Sequence, residues 1–218
     1  MFLLAALAAS FSLWVPAHAK DMPKPPSYEQ RVAQYERDDE RDPPPRNAVL
    51  FAGSSSVELW KLSKWFPDVK TINRGVSGSQ YKDLSRFVDR VVVRYKPRTV
   101  VLYSGDNDVA AGRAPEEIAE EAGRVVARIR AQLPDTPIVV IAVKPSLKQL
   151  KRLDAIRRTG SLLEALVQHT SNARFVNVYP LMLDAKGLPR RELFRSDGLH
   201  MTDKGYAIWT ALLEPMLK

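Results

Sequence analysis

The chain contains no cysteine. Disulfides, thiolate nucleophiles, cysteine-ligated metals and a lipid-bearing cysteine at a cleavage site are thereby excluded, and the fold must be stable without covalent cross-links. Histidine is also scarce, with three in 218 residues: His18, His169 and His200. Chemistry that needs an imidazole therefore has few places to go. Long apolar runs are missing apart from residues 2–15, which carry no charge and are followed by Pro16 and Ala17-His18-Ala19. This run is short for a membrane span, which needs about 20 apolar residues, and small-x-small is the pattern a signal peptidase cuts after. Residues 1–19 are therefore expected to be a signal peptide cleaved near Ala19, with a retained anchor as the alternative, making the protein exported, either periplasmic or secreted. The basic residues that usually precede such a run are absent. No internal repeat, low-complexity tract or aromatic-interleaved basic stripe occurs, so a nucleic-acid partner is not expected.

A hydrophobic content of 45% with 27% charged residues is ordinary for a soluble globular chain, and 218 residues make one domain by default. The net charge of +8 lies outside the uncharged leader, and bases gather at Lys148, Lys151, Arg152, Arg157 and Arg158. Such a surface is attracted to anionic lipid or polysaccharide of an envelope, although runs of this kind are more often a solvated helix face. Residues 20–46 are polar, with Pro23, Pro25, Pro26 and Pro43, Pro44, Pro45 enclosing one helical segment over 28–40. They form an N-terminal arm to a domain over 47–218.

From Asn47 onward, short apolar runs over 48–52, 69–72, 99–103, 138–143 and 175–178 alternate with helical patterns over 56–65, 81–95, 115–133, 148–170 and 203–217. That alternation predicts an α/β fold with a parallel sheet between helical layers. Val100-Val101-Leu102 and Val139-Val140-Ile141 are apolar without alternation, as strands buried on both faces are. The simplest arrangement is a flavodoxin-like five-stranded sheet of order 2-1-3-4-5, with its crevice at the carboxyl ends of the first and third strands.

Four segments follow four of these strands and so reach the same edge of the sheet. Phe51-Ala52-Gly53-Ser54-Ser55-Ser56 joins the first strand to a helix, a place that suits a nucleophile, although a serine there is also an ordinary helix cap. Asn73-Arg74-Gly75-Val76-Ser77-Gly78 follows the second strand and Gly105-Asp106-Asn107-Asp108 the third. A glycine N–H and an asparagine amide can both donate to a developing oxyanion, or merely shape turns. Asp106 and Asp108 match no calcium-loop pattern, and no metal is expected there. Ser196-Asp197-Gly198-Leu199-His200 follows the last strand, with a carboxylate three residues before the imidazole. Asp197 can then fix the tautomer of His200 so that the other ring nitrogen faces a serine. His169 closes a helical pattern, where a histidine ordinarily serves the helix end. The stretch from Lys144-Pro145-Ser146 to Arg152 reads as a surface loop, with Lys144 or Arg152 in reach of a polar substrate.

The ordered set Gly53-Ser54-Ser55, Gly78, Asn107 and Asp197-x-x-His200 resembles the four motif blocks of the SGNH (GDSL-type) hydrolase family, over nearly all of residues 47–218. The resemblance implies a three-layer αβα sandwich, ester hydrolysis through an acyl-enzyme, and no cofactor. Carried over by motif, Ser55 is the nucleophile and one backbone oxyanion donor. Gly78 is the second backbone donor, Asn107 the side-chain donor, and Asp197 with His200 completes the triad. Many members have aspartate before the nucleophile, where this chain has Ser54; Gly-Ser-Ser-Ser followed by Trp60 resembles a subgroup. Ser54 and Ser56 remain alternatives, although register with the family block favours Ser55. The family acts on acetylated sugars, lysophospholipids, thioesters and aryl esters. With no long apolar lid beside the motifs, a short-chain or acetyl ester of a small molecule or polysaccharide is expected. An acyltransferase acting on a carbohydrate and a non-catalytic envelope-binding domain are the alternatives.

Overall fold

Five strands carry the architecture in the computed structural model, which describes residues 27–217: β1 (Val49–Gly53), β2 (Thr71–Gly75), β3 (Thr99–Tyr103), β4 (Ile138–Ile141) and β5 (Ala173–Val176). The expected signal peptide, residues 1–19, lies outside the described residues. The sheet is parallel throughout, in the order β2-β1-β3-β4-β5, and its register sets Gly53 beside both Gly75 and Tyr103. The expected fold class and strand order are therefore observed.

Alternation along the central strands explains why they read as continuous apolar runs. Leu50, Ala52, Val100, Leu102, Ile138 and Val140 face one side, where they pack on α4 (Tyr81–Val91), α6 (Pro115–Gln132) and α7 (Leu153–Gln168). Val49, Phe51, Val101, Tyr103, Val139 and Ile141 face the other, against α2 (Ser55–Glu58), α3 (Leu62–Trp65) and α8 (Asp203–Leu217). Each fully buried side chain of this kind contributes about 1.5–3 kcal/mol, which makes these two faces the main source of stability. Trp60 and Trp209 centre the second layer, Trp60 lying 5.5 Å from the rings of Phe51, Tyr206 and Trp209. α6 begins as its sequence suggests, with proline in the first turn followed by Glu116 and Glu117.

The elements depart from their sequence signals mainly at the edges. β2 runs over Thr71–Gly75 and not 69–72, because it is an edge strand that tolerates Asn73 and Arg74. Asn73 Nδ2 donates to the Val57 carbonyl at 2.7 Å, and Arg74 pairs with Asp39 at 2.5 Å. β5, the opposite edge, starts at Ala173 with Arg174 exposed. The segment 56–65 splits into α2 and α3 around buried Trp60, and 3-10 turns over Leu147–Arg152 precede α7. A short helix, α5 (Asp106–Ala110), carries no apolar period that its sequence would reveal. No helix among the described residues is long and apolar enough to cross a membrane.

The helix α1 (Tyr28–Arg41) packs against the α4 side of the sheet and joins its core. It starts at a capping box in which Ser27 and Gln30 exchange hydrogen bonds. Val32 is buried, Tyr28 stacks on Phe87 at 5.1 Å, and Arg90 bridges to Glu29 and Glu36.

Candidate active site

Backbone geometry at the end of β1 decides where the serines lie. Gly53 has φ +146°, and a Cβ there would lie 1.7 Å from the Tyr103 carbonyl oxygen, so only glycine lets β1 pass β3 this closely. The Ser54 N–H then donates to that same carbonyl at 3.1 Å, and α2 begins at Ser55. Gly75 plays the matching part on β2, where a Cβ would meet the Glu58 nitrogen at 2.1 Å. The Val76 N–H and the Ser79 hydroxyl both donate to the Gly53 carbonyl, at 2.8 and 3.2 Å, tying the two loops together.

Ser55 Oγ lies 3.1 Å from His200 Nε2, and His200 Nδ1 lies 2.6 Å from Asp197 Oδ2. A carboxylate only accepts, so Nδ1 carries the proton and Nε2 is the nitrogen that receives the Ser55 O–H. Asp197 Oδ1 accepts from the backbone N–H groups of Leu199 and His200 at 2.8 and 2.9 Å. Desolvation works against the charge of this carboxyl, but the Leu199 N–H and the His200 ring and N–H outweigh it and hold the carboxyl well below the usual carboxylate range. The turn is closed by Gly198, with φ +67°, by Gly198 N–H donating to the Arg195 carbonyl at 3.0 Å, and by a bridge between Phe194 and Met201.

His200 bonds Ser55 and neither of the alternative serines. Ser54 Oγ donates to Asp106 Oδ1 at 3.3 Å, and Ser56 is buried with its carbonyl bonded to the Tyr206 hydroxyl at 3.0 Å. His169 is the exposed C-cap of α7.

Gly78 takes φ +78° in the loop after β2, with open space around it. Asn107 Nδ2 donates to the Ser79 carbonyl at 2.9 Å, which orients the amide and leaves its second N–H for another acceptor. The N–H of Ser55, first in its helix, has no intrahelical acceptor. The sheet edge thus assembles Ser55, Gly78, Asn107, Asp197 and His200 from the loops the sequence singled out.

The roles of several residues of this edge are scarcely marked in the sequence. Asp106 and Lys144 form an ion pair at 2.6 Å, with side chains 2% and 0% exposed. Lys144 is therefore not the surface-loop residue its sequence context suggests: it is the buried partner of a carboxylate that also accepts from Ser54 and from the Asn107 N–H. Burial opposes the Asp106 charge, and the Lys144 ammonium outweighs it, holding the carboxyl below its usual range. Asp108, by contrast, is pushed up to about 6 by burial despite accepting from the Tyr81 N–H and facing Arg113. These two carboxylates serve the loop and the start of α4. Glu58, three residues after Ser55, accepts from Ser77 and pairs with Arg31 of α1.

Known proteins share this architecture. A chain from Streptococcus pneumonia provisionally named a platelet activating factor superposes with TM-score 0.78 at 22% identity, covering 88% of this chain and 92% of that one. A GDSL-like lipase from Bacteroides thetaiotaomicron gives 0.74 at 22% identity, covering 85% and 96%. An acetylxylan esterase from Geobacillus stearothermophilus gives 0.64 at 13%, covering 79% and 94%. No match is found among the curated proteins. Residues 55–208, from the serine turn to the helix after His200, match the model of the GDSL-like Lipase/Acylhydrolase family. The chain belongs to that family and is a carboxylic ester hydrolase.

Proposed function

We propose that the protein is a serine esterase with Ser55 as nucleophile, His200 as base and Asp197 as its orienting carboxylate, acting on acetyl or other short-chain esters of carbohydrates or small alcohols. The observation that carries the catalytic assignment is the unbroken chain from Ser55 Oγ through both nitrogens of His200 to Asp197, at 3.1 and 2.6 Å. His200 Nε2 takes the Ser55 proton as Oγ attacks the ester carbonyl. The N–H groups of Ser55 and Gly78 and the free amide N–H of Asn107 receive the oxyanion. Collapse breaks the bond to the alcohol, which leaves with the proton from His200. Water, deprotonated by the same nitrogen, then releases the acid from the acyl-enzyme.

The preference for short acyl groups rests on exposure. The side chains of His200 and Asp197 are 28% and 40% exposed while Ser55 is buried, so the triad opens to solvent on its histidine side and suits a small acyl group on a hydrophilic alcohol. The fold is shared with an acetylxylan esterase, which is consistent with this class. Export is part of the proposal, on the strength of the apolar segment and the Ala17-His18-Ala19 pattern at the N-terminus. So is attraction to an anionic envelope surface, on the strength of the +8 charge.

Hydrolysis of p-nitrophenyl acetate, butyrate and octanoate tests the reading. The expected result is a kcat/KM highest for acetate and lower by roughly tenfold or more for octanoate, since even one poorly housed methylene costs about 1–3 kcal/mol. Faster cleavage of octanoate would overturn the short-chain preference, and a folded protein inactive on all three would overturn the esterase assignment. Asn107→Ala is expected to lower kcat by about a hundredfold or more, the usual effect of losing one oxyanion donor. Its thermal midpoint should move little, because the lost bond to Ser79 is worth about 1 kcal/mol. An unchanged kcat would remove Asn107 from the mechanism.

A further inference from the structure

The N-terminal helix α1 lies outside the family-matched segment, yet it reaches the loop that holds Gly78. Arg31 Nη2 pairs with Glu58 Oε1. The other oxygen of that carboxylate accepts the Ser77 backbone N–H at 2.7 Å and also the Ser77 hydroxyl. Tyr35 donates its hydroxyl to the Gly75 carbonyl, so α1 holds this loop at two points. Glu58 stands on α2, one turn after Ser55, and Ser77 is the residue before Gly78.

We propose that Arg31 and Glu58 are positioning residues for the oxyanion hole, an inference that rests on the catalytic reading of Ser55 and Gly78 above. Glu58 fixes the peptide preceding the Gly78 N–H, which sets where that donor points. Doing so with a full negative charge beside a site where negative charge develops is costly, because a carboxylate opposes an oxyanion in a partly desolvated cleft. Arg31 neutralises that charge through the oxygen that Ser77 leaves free. The pair is 36% and 19% exposed, so its direct value to stability is small, and α1 is anchored independently by Arg90 with Glu29 and Glu36 and by Tyr28 on Phe87. The geometry therefore separates a catalytic effect of Arg31 from a structural one.

The test is a kinetic cycle on p-nitrophenyl acetate with thermal midpoints measured in parallel. Arg31→Ala is expected to lower kcat by about tenfold, with KM within about twofold and the midpoint within about 4 °C of wild type. Adding Glu58→Gln to Arg31→Ala should recover a substantial part of the loss, since the amide oxygen still accepts from the Ser77 N–H but no stranded charge remains. Glu58→Ala, which removes the acceptor, should lose at least as much kcat as Arg31→Ala. Arg90→Ala, which loosens α1 away from the loop, should lower the midpoint without lowering kcat. A loss in Arg31→Ala that Glu58→Gln does not relieve, or that Arg90→Ala reproduces, or that appears in KM and the midpoint alone, overturns the proposal. Activity surviving in Ser55→Ala would instead overturn the catalytic reading beneath it, so the two failures are distinct.

Discussion

Ser55→Ala is expected to lower kcat on p-nitrophenyl acetate by about a millionfold, to the rate supported by binding and the oxyanion donors alone. The neighbouring serines offer no substitute. Ser54 Oγ is turned to Asp106, and Ser56 is buried without a bond to His200. The fold should survive, since the change removes one hydroxyl whose bond to His200 is worth about 1 kcal/mol. Unchanged circular dichroism and a thermal midpoint within a few degrees, together with loss of the burst of p-nitrophenol that marks acyl-enzyme formation, are the joint signature. Residual turnover above roughly one per cent of wild type would reassign the nucleophile. The pH profile gives a companion test. Asp197 is held ionised well below the ordinary carboxylate value of about 3.9, so it stays charged at and above that pH and sets no limb of the profile there. Asp197→Asn should lower kcat by about ten-thousandfold through loss of the correct imidazole tautomer, the effect known for a serine-protease triad.

The parts of this site that were legible in the sequence are those whose chemistry is local. Gly53 before the serines and Gly198 between Asp197 and His200 announce turns, and both residues adopt the positive φ that such turns need. The central strands announced themselves as unbroken apolar runs because both of their faces are covered. The edge strands did not: Asn73, Arg74 and Arg174 look like loop residues, and the pairing that makes them strand residues comes from elsewhere in the chain. The same holds for the charged groups. Arg31 lies 27 residues before Glu58, and Asp106 lies 38 residues before Lys144, so neither pairing leaves a periodic trace. Lys144 follows directly on the apolar run of β4, and a lysine continuing a buried strand is the one local hint that it too is buried.

Lys144→Ala is the substitution outside the triad with the largest expected cost. It strands Asp106, which is fully buried, and breaking a buried ion pair from one side typically costs about 3–5 kcal/mol. Against a total stability of about 5–15 kcal/mol this should lower the thermal midpoint by roughly 10–15 °C. The loss has a defined dependence on pH. In the wild type the folded-state pKa of Asp106 is depressed, so its contribution is present above the unfolded carboxylate value and is lost as pH falls through the folded one. Without the ammonium, burial dominates and the folded-state pKa rises above the unfolded one. The variant then loses stability as pH increases through the raised value. The gap in midpoint between wild type and Lys144→Ala should therefore widen from pH 4 towards neutrality, and close only below the depressed folded-state value of the wild type. Lys144→Met combined with Asp106→Asn should close most of that gap at pH 7, because no unpaired charge remains and the amide can still bond Ser54 and the Asn107 N–H. A gap that is constant with pH would mean that the lysine matters for its packing and not its charge. Because Asp106 bonds both the serine turn and Asn107, the single variant should also lose activity at temperatures where it remains folded, and the double variant should recover part of it.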